Sequence, residues 1–245
     1  MDSGMNIKRA AGLFIALIVA GTWGYTLFFL LSLDIPEQPW LILPGIFLQT
    51  FLYTGLFITA HDAIHGTVIR RHPAVNRVVG AFCLFVYALF PYERVRRKHF
   101  LHHRFPASDR DPDYHDGRHR GFLSWYMHFL GNYITWWQIA GMAAVFNILH
   151  HLLFVPAANL ILFWVIPSLL STVQLFYFGT YLPHREKGTP LADRYRARSS
   201  GYGLLRSFLT CYHFGYHWEH HRFPDTPWWR LPGKRKTAAA EAGGK

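Results

Sequence analysis

The sequence predicts an all-α integral membrane protein in which four transmembrane helices form two hairpins, together with interfacial or re-entrant helices and a cytoplasmic, histidine-rich helical cap. Composition is the first observation: 51% of the 245 residues are apolar and only 16% are charged, whereas soluble domains carry about 25% charged residues. The second is charge placement, because residues 10–60 contain no Lys or Arg and residues 121–184 contain no charged side chain. A bilayer requires such runs, since a charge at mid-membrane costs about 3 kcal/mol.

The predicted spans follow from the long uncharged runs. Residues 10–33 and 40–60 can each cross a hydrocarbon core of about 30 Å as a helix. The first run continues past the length of a signal-peptide core and lacks a small-residue cleavage site, so we predict a retained span. Residues 143–183 have the length of two spans, predicted at 143–163 and 164–183. Their three prolines are expected at kinks or ends.

Two shorter apolar stretches are predicted to be interfacial or re-entrant helices. Residues 78–92 are too short to cross the membrane, and residues 121–140 are rich in Trp and Tyr, which favour headgroup depth. All these elements are expected to form one membrane domain over residues 1–232. Residues 233–245 are predicted to be a disordered basic tail.

The net charge of +11 is interpreted as a topology signal. All Lys and Arg fall within residues 8–9, 70–120 and 185–245. If the spans cross in pairs, these segments share one face, and the positive-inside rule makes that face cytoplasmic, with both termini. The basic cluster at residues 94–98 is therefore expected to contact lipid headgroups, and no nucleic-acid partner is expected.

Histidine provides the strongest functional signal, with 16 copies, whereas the two cysteines form no spacing motif. Grouped histidines stand at the predicted cytoplasmic ends of spans or in cytoplasmic segments: His61, His65, His99, His102, His103, His184, His213, His217, His220 and His221. Residues four apart share a helix face, and a His-x-x-His-His triplet can serve two metals. Neutral imidazole suits zinc, iron, copper and nickel, and one tetrahedral zinc needs only four ligands. We therefore predict two metals with four or five imidazoles each, with His213 as either a ligand or a hydrogen-bond partner of one.

Metal-bound imidazoles usually donate their other N–H to a carboxylate or carbonyl. Near the histidines, Asp62, Asp113 and Glu219 are the candidates for this role. Asp109 and Asp111 are expected to be turn or surface charges, because the run that contains them is a turn former by composition.

At this point the sequence resembles the membrane fatty-acid-desaturase and hydroxylase superfamily and, more narrowly, the β-carotene ketolases of bacteria and cyanobacteria. The resemblance covers about residues 10–232. The motifs that carry it are His-Asp-Ala-Ile-His-Gly at 61–66, Arg-Lys-His-Phe-Leu-His-His-Arg at 97–104, Asp-Pro-Asp-Tyr-His at 111–115, Tyr-Leu-Pro-His-Arg at 181–185, Tyr-His-Phe-Gly-Tyr-His-Trp-Glu-His-His at 212–221 and Pro-Trp-Trp-Arg-Leu-Pro at 227–232.

The resemblance implies a non-haem di-iron centre, with two Fe ions that use O2 and electrons from a ferredoxin-type donor. It implies a β-ionone ring as substrate, hydroxylated twice at C4 and dehydrated to a ketone, so that β-carotene gives echinenone and then canthaxanthin. By analogy with the superfamily, one iron takes His61, His65, His99, His103 and His220, and the other takes His102, His184, His217 and His221.

Other functions remain open from the sequence. Within the superfamily, a carotenoid ring hydroxylase or an acyl-chain desaturase would use the same histidines. Outside it, a metal or haem carrier would place paired histidines deep within spans. No dinucleotide fingerprint or phosphate-binding glycine loop is present, so reducing power must come from a redox partner protein. The other expected partners are a carotenoid substrate and membrane lipid.

Overall fold

The computed structural model describes residues 7–186, 188 and 191–243, with side chains over 10–186, 188 and 191–237. Within these ranges every regular element is helical. The α-helices are α1 (Ile7–Leu31), α2 (Ile42–Ile64), α3 (Pro73–Ala88), α4 (Tyr92–Arg104), α5 (Phe122–Tyr133), α6 (Trp136–Asn147), α7 (Ala157–Leu160), α8 (Ile166–Phe176), α9 (Leu182–His184), α10 (Leu204–Cys211), α11 (His217–Arg222) and α12 (Leu231–Gly243). Three π-helical segments lie at Ile148–Leu152, Ile161–Val165 and Tyr177–Tyr181, and two 3₁₀ turns at Pro39–Leu41 and Trp228–Arg230.

In the part of the chain that the structure describes, three continuous helical segments are long and apolar enough to cross a membrane. They are Ala10–Leu31, Pro39–Ile64 and Ala157–His184, and the broken pair of α3 and α4 would be a fourth if it counts as one span. The first two agree with the predicted spans. Large apolar side chains on them are exposed in the isolated chain, such as Phe28 and Phe47, as expected where lipid rather than protein covers a helix.

The predicted division at residues 163/164 is wrong, because a continuous helix runs from Ala157 to His184. The break comes earlier, at residues 153–156, where Phe154 has a φ of 55° and Pro156 is the N-cap of α7. Proline cannot continue a helix that precedes it, because it lacks the N–H and clashes with the carbonyl four residues back. Pro167 nevertheless lies inside the long helix, two residues after a π-helical segment. Such a wide turn is one way in which a membrane helix accommodates an interior proline.

Two other sequence expectations are refined. The stretch predicted over 121–140 forms two helices, α5 and α6, because Thr135 and Gln138 make a reciprocal capping box that starts α6.

The tail predicted to be disordered from residue 233 is instead helical within α12 as far as Gly243. Its Ala, Lys and Glu residues are strong helix formers. Residues 244–245 lie outside the described part of the chain.

Contacts divide the chain into two compact units, one formed by residues 1–91 and 135–172 and the other by 92–134 and 173–245. In the first, a buried amide closes the end of α1. The Nδ2 of Asn159 donates to the carbonyl oxygens of Leu30 and Leu33 at 3.1 and 2.8 Å. The Leu30 carbonyl also accepts from the backbone N–H of Leu33 at 3.3 Å, whereas Leu33 lies just beyond α1, where no further turn supplies a donor.

Replacement of Asn159 by leucine is expected to destabilise the protein by about 2 kcal/mol, because it leaves the buried carbonyl of Leu33 without its amide donor. Thermal unfolding in detergent should show a midpoint several degrees lower. Asn147→Leu is the matched control, since the exposed Asn147 donates only to a carbonyl of its own helix. Equal midpoints for both variants would contradict the capping role of Asn159.

In the second unit, an aromatic cluster holds the loop between α4 and α5. Trp125 and Phe176 are fully buried, and the Trp125 indole N–H donates to the Asp113 carbonyl at 2.9 Å. On the α4 side, Arg94 and Lys98 donate to the Asn132 carbonyl at 3.1 and 2.6 Å. These contacts fix the loop that follows the histidines of α4, which places its carboxylates beside them.

Candidate metal centre

Short helical segments present the predicted ligands. In the unit of residues 92–134 and 173–245, α4 carries His99, His102 and His103, α9 ends at His184, and α11 carries His217, His220 and His221. In the other unit, α2 carries His61 near its end and His65 is its C-cap, with ring centroids 4.9 Å apart. The i, i+3, i+4 spacing on α4 and α11 directs each triplet to one helix face, as the sequence predicts.

Four buried histidines converge in the second unit: His102, His184, His217 and His221, whose offered ring nitrogens all lie within 4.8 Å of one another. The Nε2 atom of His221 is 3.0 Å from the Nε2 of His102 and 3.0 Å from the Nε2 of His217. One N–H on His221 can serve only one of these neighbours. By contrast, nitrogens about 2.1 Å from one metal and at right angles to each other would be about 3.0 Å apart. The donor set therefore fits a metal ion.

His184 gives the most direct support for metal binding. Its Nδ1–H donates to the carbonyl of Arg196 at 2.7 Å, which leaves the lone pair on Nε2. That buried Nε2 has no hydrogen-bond partner among the described residues. Buried polar atoms are seldom left unsatisfied, and the arrangement, with one nitrogen held by a carbonyl and the other free, is the usual one for a metal-bound imidazole.

A carboxylate orients His102. Its Nδ1–H lies 3.0 Å from both carboxylate oxygens of Asp111, and the same carboxylate accepts from the backbone N–H groups of Ala107 and Asp113 at 2.8 and 2.9 Å. Burial by itself would raise the pKa of Asp111, but the adjacent His102 and the N–H donor of Asp113 outweigh it and lower the pKa. Asp111 is therefore the ionised partner that turns the Nε2 of His102 toward the cluster.

The sequence ranked Asp113 ahead of Asp111, and the structure corrects that order. A carboxylate oxygen of Asp113 lies 3.8 Å from the Nδ1 of His102, and the Tyr133 hydroxyl donates to the same carboxylate group. Burial raises the pKa of Asp113 to about 6. In the sequence, the turn that follows α4 indicates a carboxylate partner for its histidines, because a carboxylate in that turn can reach back to α4. The sequence alone does not establish whether Asp111 or Asp113 is that partner.

A second group in the same unit consists of His99, His103 and His220. Their offered ring nitrogens lie within 4.8 Å of one another, and the Nε2 atoms of His103 and His220 are 2.9 Å apart. Three imidazoles leave further coordination positions for a metal such as iron, which accepts nitrogen ligands beyond three.

The other two carboxylate candidates, Asp62 and Glu219, differ in the groups that they contact. Asp62 has a carboxylate oxygen 3.5 Å from the Nδ1 of His61, and its pairing with that imidazole stays a prediction. Glu219 instead accepts from the Ser199 hydroxyl, which in turn accepts from the backbone N–H of Trp218 at 3.1 Å. Glu219 therefore stabilises the first turn of α11.

His213 belongs to neither group of converging nitrogens among the described residues, so of its two predicted roles this placement favours the one outside the ligand sets. It has a φ of 61° in the turn after α10, and its ring stacks on Tyr216 with centroids 5.6 Å apart. The spacing to His217 suggested a shared helix face, but α11 begins only at His217.

Comparison with known proteins identifies the family of this chain. A family model described as fatty acid desaturase matches residues 38–244. A β-carotene ketolase of Haematococcus lacustris is 45% identical over 76% of this chain and 59% of its own length. A zeaxanthin 4-ketolase of Chlamydomonas reinhardtii is 41% identical over 94% of this chain and 52% of its own length.

A β-carotene ketolase of Paracoccus sp. (strain PC1) is 38% identical over 96% of this chain and 94% of its own length. The chain thus spans a little over half the length of the algal relatives and nearly all of the bacterial one. These matches confirm the resemblance that the histidine motifs indicate. The chain belongs to the fatty acid desaturase family.

Proposed function

We propose that the chain is an O2-dependent β-carotene ketolase with a non-haem di-iron centre. The observation that carries the proposal is the buried group of four histidines, in which His102 and His184 each present an Nε2 whose ring partner nitrogen is already held by a carboxylate or a carbonyl. The names of the relatives, which include β-carotene ketolases of algae and of Paracoccus, supply the substrate class.

Two ligand sets are proposed for the irons. The four-histidine group would hold one, and His99, His103 and His220 would hold the other together with His61 and His65, which the family resemblance adds. When bound, the iron pair would supply the O2-derived oxidant that cleavage of a ring C–H bond requires.

The proposed reaction is two hydroxylations at C4 of a β-ionone ring, after which the geminal diol loses water and leaves a ketone. β-Carotene would give echinenone and then canthaxanthin. Each hydroxylation consumes one O2, two electrons and two protons and releases one water. The electrons are assigned to a ferredoxin-type donor, because the sequence has no nucleotide-binding motif.

The protein contributes positioning and exclusion of water. Asp111 fixes the tautomer and direction of His102, and the Arg196 carbonyl does the same for His184. All four histidines of the first set are buried, which keeps bulk water from the reacting atoms. His184 ends the span Ala157–His184, so a lipid-soluble substrate can approach from the bilayer.

The finer topology is part of the same proposal. It comprises four spans in two hairpins, a single membrane domain over residues 1–232, and a cytoplasmic histidine-rich cap with both termini on that side. The clustering of all Lys and Arg in three segments supports this orientation.

Expression in a β-carotene-producing host, followed by chromatography of the pigments, tests the proposed activity. We expect echinenone and canthaxanthin to accumulate. Zeaxanthin in their place would identify a ring hydroxylase, and unchanged carotenoid with altered lipid unsaturation would identify an acyl-chain desaturase. We expect the purified protein to carry two irons per chain, whereas a haem absorption band would indicate a haem carrier.

A further inference from the structure

A further group of possible metal ligands lies apart from the sets proposed for the two irons. It consists of Asp116 and His119, in the loop between α4 and α5, and His128 on α5. One ligand atom from each of these residues lies within 4.8 Å of the other two. All three belong to the unit of residues 92–134 and 173–245, and neither histidine is a member of the iron sets.

The loop places Asp116 and His119 side by side. The backbone N–H groups of Arg118 and His119 donate to one Asp116 carboxylate oxygen at 3.0 and 2.9 Å, and both carboxylate oxygens lie 2.9 Å from the Nδ1 of His119. Two ligand atoms that are each about 2.1 Å from one ion and at right angles are about 3.0 Å apart. An ion can therefore replace the Nδ1 proton with little movement of either side chain.

His128 completes the group from the neighbouring helix. Its ring faces that of His119, with centroids 5.6 Å apart and ring planes 9° apart. Two imidazoles that share one ion have centroids at most about 6.5 Å apart, so the observed separation is within reach of a common ion. Asn132, whose Nδ2 is 3.5 Å from the Nε2 of His128, also donates to the Pro112 carbonyl at 2.9 Å. His128 thus already lies beside the loop.

The donor set determines which ions fit. Two imidazoles and a carboxylate suit zinc, copper and nickel, whereas magnesium and calcium require oxygen ligands. The side chains of Asp116 and His119 are 38% and 47% exposed, so an ion can enter from water. The Arg120 Nε donates to the Gly117 carbonyl at 2.9 Å, which keeps a positive charge nearby. We therefore expect weaker binding here than at a buried site.

We propose that Asp116, His119 and His128 bind a zinc-like divalent cation, which ties the loop between α4 and α5 to α5. The same loop carries Asp111, whose carboxylate contacts His102. A bound ion therefore restricts the segment that orients one member of the four-histidine group. The proposal does not depend on the ketolase function, because it rests on a different set of side chains.

Zinc binding to the full chain, purified in detergent with its irons bound, tests the proposal. We expect equilibrium dialysis against ZnCl2, followed by metal analysis, to show one zinc bound per chain without loss of iron. His119→Gln and His128→Gln should each weaken this binding by about 10- to 100-fold, and excess Mg2+ should not displace the zinc. Amide hydrogen exchange within residues 111–119 should slow when zinc is added to the wild type but not when it is added to His128→Gln.

His72→Gln is the matched control, because His72 is exposed and lies outside every group of possible ligands in the described part of the chain. It should bind zinc as the wild type does. Equal zinc binding by the wild type and both test variants, or zinc that binds only as iron is lost, would overturn the proposal. Weaker binding in His119→Gln alone would overturn the link to α5, because the ion would then be held by the loop without His128.

Absence of ketocarotenoids in the pigment test would leave the zinc expectation unchanged. Conversely, a chain that makes ketocarotenoids but binds no additional zinc would remove only the site of Asp116, His119 and His128.

Discussion

Replacement of His102 by alanine is expected to abolish ketocarotenoid formation, with a loss of more than about 100-fold. The Nε2 of His102 lies 3.0 Å from the Nε2 of His221, and its Nδ1 is held by Asp111. Removal of the ring takes one nitrogen from the four-histidine group and leaves the Asp111 carboxylate buried without its imidazole. Iron per chain, measured on purified protein, should fall together with the pigment yield from the β-carotene-producing host.

Two histidine variants control this experiment. His213→Ala removes a ring from the same segment as His217 but from outside both groups of nitrogens, and His72→Ala removes an exposed ring at the N-cap of α3. Both should keep wild-type iron content and remain in the membrane. Substantial ketocarotenoid formation by His102→Ala would refute its assignment as a ligand.

The sequence was sufficient for features whose physical cause is local. The first span is predicted at 10–33, and the helical segment Ala10–Leu31 is long and apolar enough to be that span, because the length of an uncharged apolar run directly limits what can cross a bilayer. The His-x-x-His-His triplets were also readable, since three rings within one helical turn and a half must face one side.

The sequence was insufficient where the backbone departs from a regular α-helix, or where a distant contact decides the local structure. Pro167 suggested a helix end near 163/164, but a π-helical segment before it lets the helix continue. His213 stands four residues before His217, yet the chain is in a left-handed turn at that point, so the helical spacing rule does not apply. The choice between Asp111 and Asp113 depends on how Trp125 anchors the loop that contains them.

Asp111→Asn is expected to reduce ketocarotenoid formation by about 10- to 100-fold, the usual effect of losing a carboxylate that orients a metal-bound imidazole. The asparagine side chain has nearly the same shape, but it has only one acceptor oxygen and its NH2 group would face N–H donors. In the native protein the two carboxylate oxygens accept from His102, Ala107 and Asp113 together. The variant must therefore leave at least one of these donors unpaired, and it loses the charge that holds the His102 Nδ1 proton.

The matched control is Asp109→Asn, because Asp109 is exposed in the same turn and should keep full activity. Substitution of cobalt for iron distinguishes loss of His102 positioning from loss of protein stability. The visible absorption spectrum of cobalt-loaded Asp111→Asn should shift, whereas its thermal unfolding midpoint should fall by less than that of Asn159→Leu.

Asp113→Asn decides which of the two carboxylates orients His102. If it loses more activity and cobalt than Asp111→Asn, the role belongs to Asp113, and the 3.0 Å contact of Asp111 with His102 is not the one that orients the ring.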